Sequence, residues 1–105
     1  MKEIDWSSLS FGYMKTDYNV RCWYRNGAWG EIEISSEETL NIHMAATCLH
    51  YGQEAFEGLK AYRCPDGKVR VFRMDENAAR LQSSCRGIMM PEIPTELFEE
   101  MVTKV

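Results

Sequence analysis

The strongest local constraint in this chain is Asn26-Gly27, set between two runs of alternating polarity. Before it, Val20, Cys22 and Tyr24 alternate with Arg21, Trp23 and Arg25. After it, Glu31-Ile32-Glu33-Ile34 alternates again, with both isoleucines on one face. A period of two sends successive side chains to opposite faces of a strand. Asn-Gly takes the positive backbone angles of a type I′ turn, whose twist matches that of two antiparallel strands. Residues 20–34 are therefore expected to form a β-hairpin with one solvated face.

The rest of the pattern extends this start. Ser35-Ser36-Glu37-Glu38 is a polar break, and beyond it Leu40, Ile42 and Met44 alternate as a third strand would. Residues 59–63 and 68–73 flank Cys64-Pro65-Asp66-Gly67. Proline presets that turn and glycine supplies its left-handed position, giving a second hairpin. Asp75 is placed as a helix N-cap. Ala78, Leu81, Gln82, Cys85, Ile88 and Met89 then recur at spacings of three and four, predicting a helix over 76–88 that Pro91 and Pro94 interrupt. Thr95 is a second N-cap candidate. Leu97, Phe98, Met101, Val102 and Val105 form the apolar stripe of a last helix that meets no glycine or proline stop, as if cut inside a longer one. Residues 1–18 show no period and read as an irregular arm, whose Trp6, Phe11, Tyr13 and Tyr18 are expected to pack, a neighbouring domain being one surface for them. Residues 19–105 then make one α+β domain, a mostly antiparallel sheet with helices packed on one face.

A length of 105 residues with 45% hydrophobic content suits one domain with one core. The net charge of −4 argues against sequence-independent nucleic-acid binding, which needs a basic surface. No apolar run approaches the roughly 20 residues that span a bilayer, and the first residues lack the apolar core of a signal peptide. The expectation is a cytoplasmic protein with neither nucleic acid nor membrane as partner. Cys22, Cys48, Cys64 and Cys85 contain no Cys-x-x-Cys pair and read as small buried side chains or free thiols. A zinc site from Cys48, His50, Cys64 and Cys85 has the wrong spacing for the common fingers, so no metal is expected.

Chemistry-bearing residues concentrate between Leu49 and Arg63. His50-Tyr51-Gly52 is turn-like, residues 53–57 are long enough for about one to two helical turns, and Gly58 permits a left-handed helix end or close backbone approach to a ligand. The plain structural reading is a helix cap and a core Phe56. Arg80 lies beside the apolar stripe of its helix with small Ala78 and Ala79 around it. A guanidinium there suits bidentate binding of a phosphate, or it buries its stem and leaves its head in water. Lys60 raises the thought of a Schiff base, but its alternation with Leu59 and Ala61 reads as a solvated strand face. His43 and His50 have no serine or cysteine partner arranged for a hydrolase.

His50-Tyr51-Gly52-x-x-x-Phe56-Glu57-Gly58-Leu59-Lys60-Ala61-Tyr62-Arg63 resembles the signature of branched-chain amino-acid aminotransferases, which are fold-type IV pyridoxal-phosphate enzymes. The likeness continues through Val71-Phe72-Arg73 and Asn77-Ala78-Ala79-Arg80-Leu81-Gln82-Ser83-Ser84, and covers roughly residues 20–105. Tyr-Gly-x-x-x-Phe-Glu-Gly is shared across the fold type, including D-amino-acid aminotransferases and aminodeoxychorismate lyase. Leu-Lys-Ala-Tyr-Arg is more particular to the branched-chain enzymes.

The resemblance implies the small N-terminal domain of such an enzyme. It implies pyridoxal 5′-phosphate as cofactor, with Arg80 on its phosphate. Tyr51 and Phe56 would line the substrate side-chain pocket, Tyr51 reaching into the partner subunit's site. Gly58 would lie beside the substrate, with Lys60 near the same pocket. The substrates implied are leucine, isoleucine and valine with 2-oxoglutarate or glutamate, in a homo-oligomer that is at least a dimer. The Schiff-base lysine and the glutamate that pairs with the pyridine nitrogen lie outside this chain, so no catalytic residue is expected in it and the chain alone should be inactive. Another fold-type IV enzyme, or a stand-alone non-catalytic binding or dimerisation module, are the alternatives.

Overall fold

The structure, a computed structural model, describes residues 4–8 and 12–105, Trp6 by its backbone alone. The chain divides into two compact units: one running to Asn41 and taking in Val105, the other from Ile42 to Lys104. The class is α+β, and the antiparallel pairing is split between two two-stranded sheets among the described residues, one hairpin in each unit.

In the first unit, β1 (Asn19–Arg25) pairs with β2 (Ala28–Ser35). Asn26 and Gly27 have φ of 53° and 79°, the two positive angles a type I′ turn requires. Val20 faces Ile34 and Cys22 faces Ile32, but Tyr24 faces Trp29, so β2 carries one extra residue opposite Trp23. Gly30 sits in this bulge, where an added Cβ would come within 3.4 Å of the Trp23 carbonyl oxygen. The bulge lengthens β2 beyond the alternating residues 31–34. Beyond it the Tyr24 and Trp29 rings meet edge to face at 5.2 Å, and the Arg25 guanidinium lies 4.7 Å over the Trp23 ring. The expected apolar face is not closed, since Ile34 remains 60% exposed.

The arm is not wholly irregular. Trp6–Ser8 form a single 3₁₀ turn, started by the Asp5 carboxylate, which accepts from the Ser7 amide at 3.1 Å and the Ser7 hydroxyl at 2.6 Å. Tyr13 is 78% exposed and Tyr18 40%, the Tyr18 hydroxyl donating to the Val105 carbonyl at 3.4 Å. The packing expected of Phe11 and of the Trp6 side chain lies outside the described residues. Residues 40–44 form no strand. Alternation gives a strand its faces but not a partner, and Leu40, Ile42 and Met44 are all exposed here.

In the second unit, α1 (Thr47–His50) is a single turn that no periodicity announced. β3 (Ala61–Arg63) and β4 (Val69–Val71) form the second hairpin, with Ala61 opposite Val71. Its turn is closed by the Gly67 amide donating to the Cys64 carbonyl at 2.9 Å, and Gly67 takes the left-handed angle at φ 83°. Helix α2 (Met74–Gly87) starts two residues earlier than expected. Its N-cap is Arg73 in the left-handed region, with no side-chain cap bond, so Asp75 is inside the first turn instead of before it. There its charge suits the helix dipole. The second N-cap shifts likewise: Thr95 is the first residue of α3 (Thr95–Lys104), and the Pro94 carbonyl accepts the first helical bond from Phe98 N at 3.0 Å.

The two helices pack on each other. Among the described residues the buried apolar ones are Ala78 and Cys85, seven residues apart on α2, and Phe98 on α3. Gln82 ties the connection down, its Nε2 donating to the Ile93 carbonyl at 2.8 Å and to the Thr95 hydroxyl at 3.1 Å. Val105 lies past the last helical turn and is 72% exposed, so the apolar stripe ends at Val102. All four cysteines are free thiols, and only Cys85 is fully buried.

Helix α2 ends in a Schellman motif: Met90 N donates to Cys85 O at 2.9 Å and Met89 N to Arg86 O at 3.3 Å. The left-handed residue is Met89, at φ 60°, where glycine is the usual occupant. Met89 is also 89% exposed, so its side chain contributes little packing. Met89→Gly is expected to stabilise the chain by about 1 kcal/mol by removing the left-handed penalty of a Cβ. A urea unfolding midpoint that falls in the variant would contradict this account of the helix end.

Candidate functional site

The chemistry-bearing connector lies between α1 and β3. Its first part is folded by short-range bonds. The Thr47 carbonyl accepts from Tyr51 N at 2.9 Å and Gln53 N at 3.4 Å, while the Thr47 hydroxyl donates to Gln53 Oε1 at 2.6 Å. Gly52 allows the chain to reverse, at φ 65°. Residues 52–60 then carry no regular secondary structure. The helical turn expected over 53–57 is absent. Gly58 therefore ends no helix, and its φ is not in the left-handed region. With no internal backbone ladder, this stretch is held by side chains instead.

Glu57 is the centre of that restraint. Its side chain is 6% exposed, although it belongs to a connector. It takes the Arg80 guanidinium in a bidentate pair, with Arg80 Nε on Oε1 and Arg80 Nη2 on Oε2, the latter at 2.7 Å. Asn77 Nδ2 donates to the same Oε2 at 3.0 Å and to the Gly58 carbonyl at 3.2 Å. Asn77 and Arg80 are three residues apart on α2 and so share a face. The bond from Arg80 first, then that from Asn77, draws the Glu57 carboxyl from its ordinary 4.5 to about 2 against the opposing cost of burial. Arg80 is raised in turn, chiefly by its bond to Glu57.

The expected site residues fall in two places. Arg80 borders a surface hollow of about 450 Å³ lined also by Phe72, Arg73, Glu76 and Asn77. Tyr51 borders another, of about 380 Å³, with Thr47, Gly52, Gln53 and Ile88. Phe56, Gly58 and Lys60 line neither. Phe56 is not the core residue of the plain structural reading: it is 88% exposed, and Tyr51 is 85% exposed. The Gly58 Cα region has ordinary space, an added Cβ meeting the Phe56 ring at 3.5 Å. Lys60 is exposed, one residue before β3.

Arg80 is paired through one edge of its guanidinium. Its Nε–Nη2 edge is occupied by Glu57, while the side chain as a whole is 68% exposed. The outer Nη1–Nη2 edge keeps N–H donors outside that pair, in the parallel geometry that matches two oxygens of an anion. Glu57 and Asn77 were not singled out by sequence. Glu57 stands within the signature, but its partner is 23 residues away, and only the fold reveals that distance as contact.

No protein-family model matches the chain. It is 49% identical over 98 residues to a branched-chain-amino-acid aminotransferase of Haemophilus influenzae, covering 93% of this chain and 29% of that protein. It is 45% identical to the enzyme of the same name from Helicobacter pylori over 100% of this chain and 31% of the relative. A branched-chain-amino-acid transaminase 1 of Bacillus subtilis is 42% identical over 96% of this chain and 29% of its own length. The chain thus spans about three-tenths of the length of these curated relatives. These likenesses make it an aminotransferase sequence. Within that class it belongs to the branched-chain-amino-acid aminotransferase family. Among the described residues no helix is long and apolar enough to cross a membrane.

The Glu57 pair gives the fold an acid dependence of definite sign. The carboxyl is depressed in the folded state, whereas the unfolded chain titrates near the ordinary value. Its stabilising contribution is then complete above about pH 5 and fades as pH falls to about 2. Glu57→Gln should therefore lower the urea midpoint of the chain most near neutral pH, with the gap to wild type closing as pH drops through that window. A gap independent of pH between 6 and about 2.5 would show that the charge of Glu57 is not what matters.

Proposed function

We propose that this chain is the small N-terminal domain, with residues 1–18 as an arm and 19–105 as the domain, of a cytoplasmic aminotransferase. The whole protein exchanges the amino group between leucine, isoleucine or valine and 2-oxoglutarate, as a homo-oligomer of at least two subunits. One observation carries this reading: the Phe56-Glu57-Gly58 connector is bound to α2 through Arg80, leaving the outer edge of a fixed guanidinium and an exposed Phe56 ring. An anion anchor beside an apolar wall is what an amino-acid transaminase needs from a domain that carries no reacting group. The names of the relatives support the same activity.

The donor set fits pyridoxal 5′-phosphate. Arg80 would hold the phosphate through its outer Nη1–Nη2 edge, since a phosphate takes two parallel N–H bonds from a guanidinium. When bound, this cofactor supplies the carbonyl that accepts the amino group and the electron sink that stabilises the carbanion. Phe56 and Tyr51 would wall the side-chain pocket. Burying a branched aliphatic chain against such rings gains about 25 cal/mol per Å², and a charged side chain would lose hydration there without a fixed partner. The Gly58 backbone lies two residues beyond Phe56 and would border the substrate, and Lys60 would stand at the rim of the same pocket.

The activity is tested with the full-length protein. Amino transfer from L-leucine, L-isoleucine and L-valine to 2-oxoglutarate should exceed transfer from D-alanine by orders of magnitude. The 105-residue chain alone should give none, and borohydride reduction in the presence of cofactor should leave Lys60 unmodified. A stoichiometric adduct on Lys60, or preference for the D-amino acid, would refute the reading.

Phe56→Ala in the full-length protein should reduce kcat/KM unequally for leucine, isoleucine and valine. Discrimination in apolar pockets is about 1 to 3 kcal/mol per methylene. Glutamate, whose carboxylate needs polar partners, should lose less. An equal loss on all four substrates would make Phe56 a packing residue.

A further inference from the structure

The described ion pairs are not alike. Lys15–Glu38, Arg70–Asp66, Arg73–Glu76 and Arg86–Glu92 join partners that are each 37–69% exposed. Pairs of that kind are loosely held and strongly screened. Glu57 alone is withdrawn to 6% exposure while its arginine remains 68% exposed. The carboxylate is thus the fixed member and the guanidinium the outward one. Three N–H donors fix it: Nε and Nη2 of Arg80 and Nδ2 of Asn77. Asn77 is itself anchored on the Gly58 carbonyl, so the carboxylate is referenced to the connector backbone as well as to α2.

We propose that Glu57 is a positioning residue for the phosphate anchor: by occupying the Nε–Nη2 edge of Arg80, it sets the guanidinium so that the outer Nη1–Nη2 edge meets the phosphate of the cofactor. The inference rests on the reading of Arg80 as the phosphate-binding residue. An arginine side chain has many rotamers, and an exposed one must lose them when it binds. Glu57 removes that freedom before the phosphate arrives. Its negative charge also opposes the phosphate. The repulsion acts across the width of a guanidinium and partly through solvent on the exposed side, whose high dielectric weakens it. The orienting bonds are direct and charge-assisted. Positioning therefore outweighs repulsion, and Glu57 tightens phosphate binding.

The test uses the full-length protein stripped of cofactor, titrated with pyridoxal 5′-phosphate and separately with pyridoxal, which lacks the phosphate. Glu57→Gln keeps the shape and removes the charge. It should weaken the phosphorylated compound about tenfold and leave pyridoxal unchanged. Arg80→Ala should weaken the phosphorylated compound by about ten- to a hundredfold. Adding Glu57→Gln to Arg80→Ala should cause no further loss, because the positioned group is gone. If Glu57→Gln does not fold, Asn77→Ala takes its place, with an expected loss of about threefold, again only for the phosphorylated compound.

Equal weakening of both compounds would assign Glu57 a structural role and overturn the proposal. So would tighter binding of the phosphorylated compound, which would mean that repulsion dominates, or a fully additive double variant. If Arg80→Ala weakens binding and Glu57→Gln does not, the positioning role alone fails. If Arg80→Ala has no effect, the anchor reading fails and takes this one with it.

Discussion

The bond between Glu57 and Arg80 joins a stretch that has no backbone ladder to a helix that has one. Residues 52–60 contain neither helix nor strand, so side-chain bonds decide where they lie. Two clips do this. At one end Gln53 Nε2 donates to the Ile88 carbonyl at 2.9 Å, near the C-terminal end of α2. At the other, Glu57 and Gly58 are held by Arg80 and Asn77 in the middle of the same helix. Removing Arg80 or Asn77 takes from the Glu57 carboxylate a donor that holds the connector on α2. The connector is therefore clipped at both ends, to α2 and to the residue that follows it, with Phe56 between the clips.

That placement matters because, among the described residues, the buried apolar set is Ala78, Cys85 and Phe98, on α2 and α3. Phe56, Tyr51, Phe72, Leu49 and Met44 are all more than half exposed in the same unit. Single exposed apolar residues are ordinary, and the chain spans about three-tenths of the length of its curated relatives.

Elements whose instructions are local were legible. The hairpin at Asn26-Gly27 and the turn at Pro65-Asp66-Gly67 follow from residues that fit particular backbone angles. Both longer helices follow from a repeat of three and four. Misreadings arose where a local pattern had two outcomes. Leu40, Ile42 and Met44 alternate as a strand does, yet a strand exists only when another chain segment takes up its hydrogen bonds. Residues 53–57 had the length of a helical turn, and Gly58 the permissiveness of a helix end, but the pairing of Glu57 with Arg80 pulls them onto α2. Asp75 had the chemistry of an N-cap, while Arg73, at a left-handed angle, holds the position. Gly30 within β2 was the available sign of the bulge, since a glycine in a strand often marks close backbone approach.

By itself the sequence determined the secondary elements with short-range rules, the α+β class, and, through the signature running from His50 to Arg63, the family to which the chain belongs. It also supplied Arg80 as a candidate anchor. Only the tertiary structure decided which edge of Arg80 is taken, that Glu57 takes it, and that Phe56 faces outward instead of filling a core. The physical reason is range. Turn angles and helical periods are set by neighbours a few residues apart, whereas a carboxylate at 57 learns of a guanidinium at 80 only after the intervening hairpin and helix have folded.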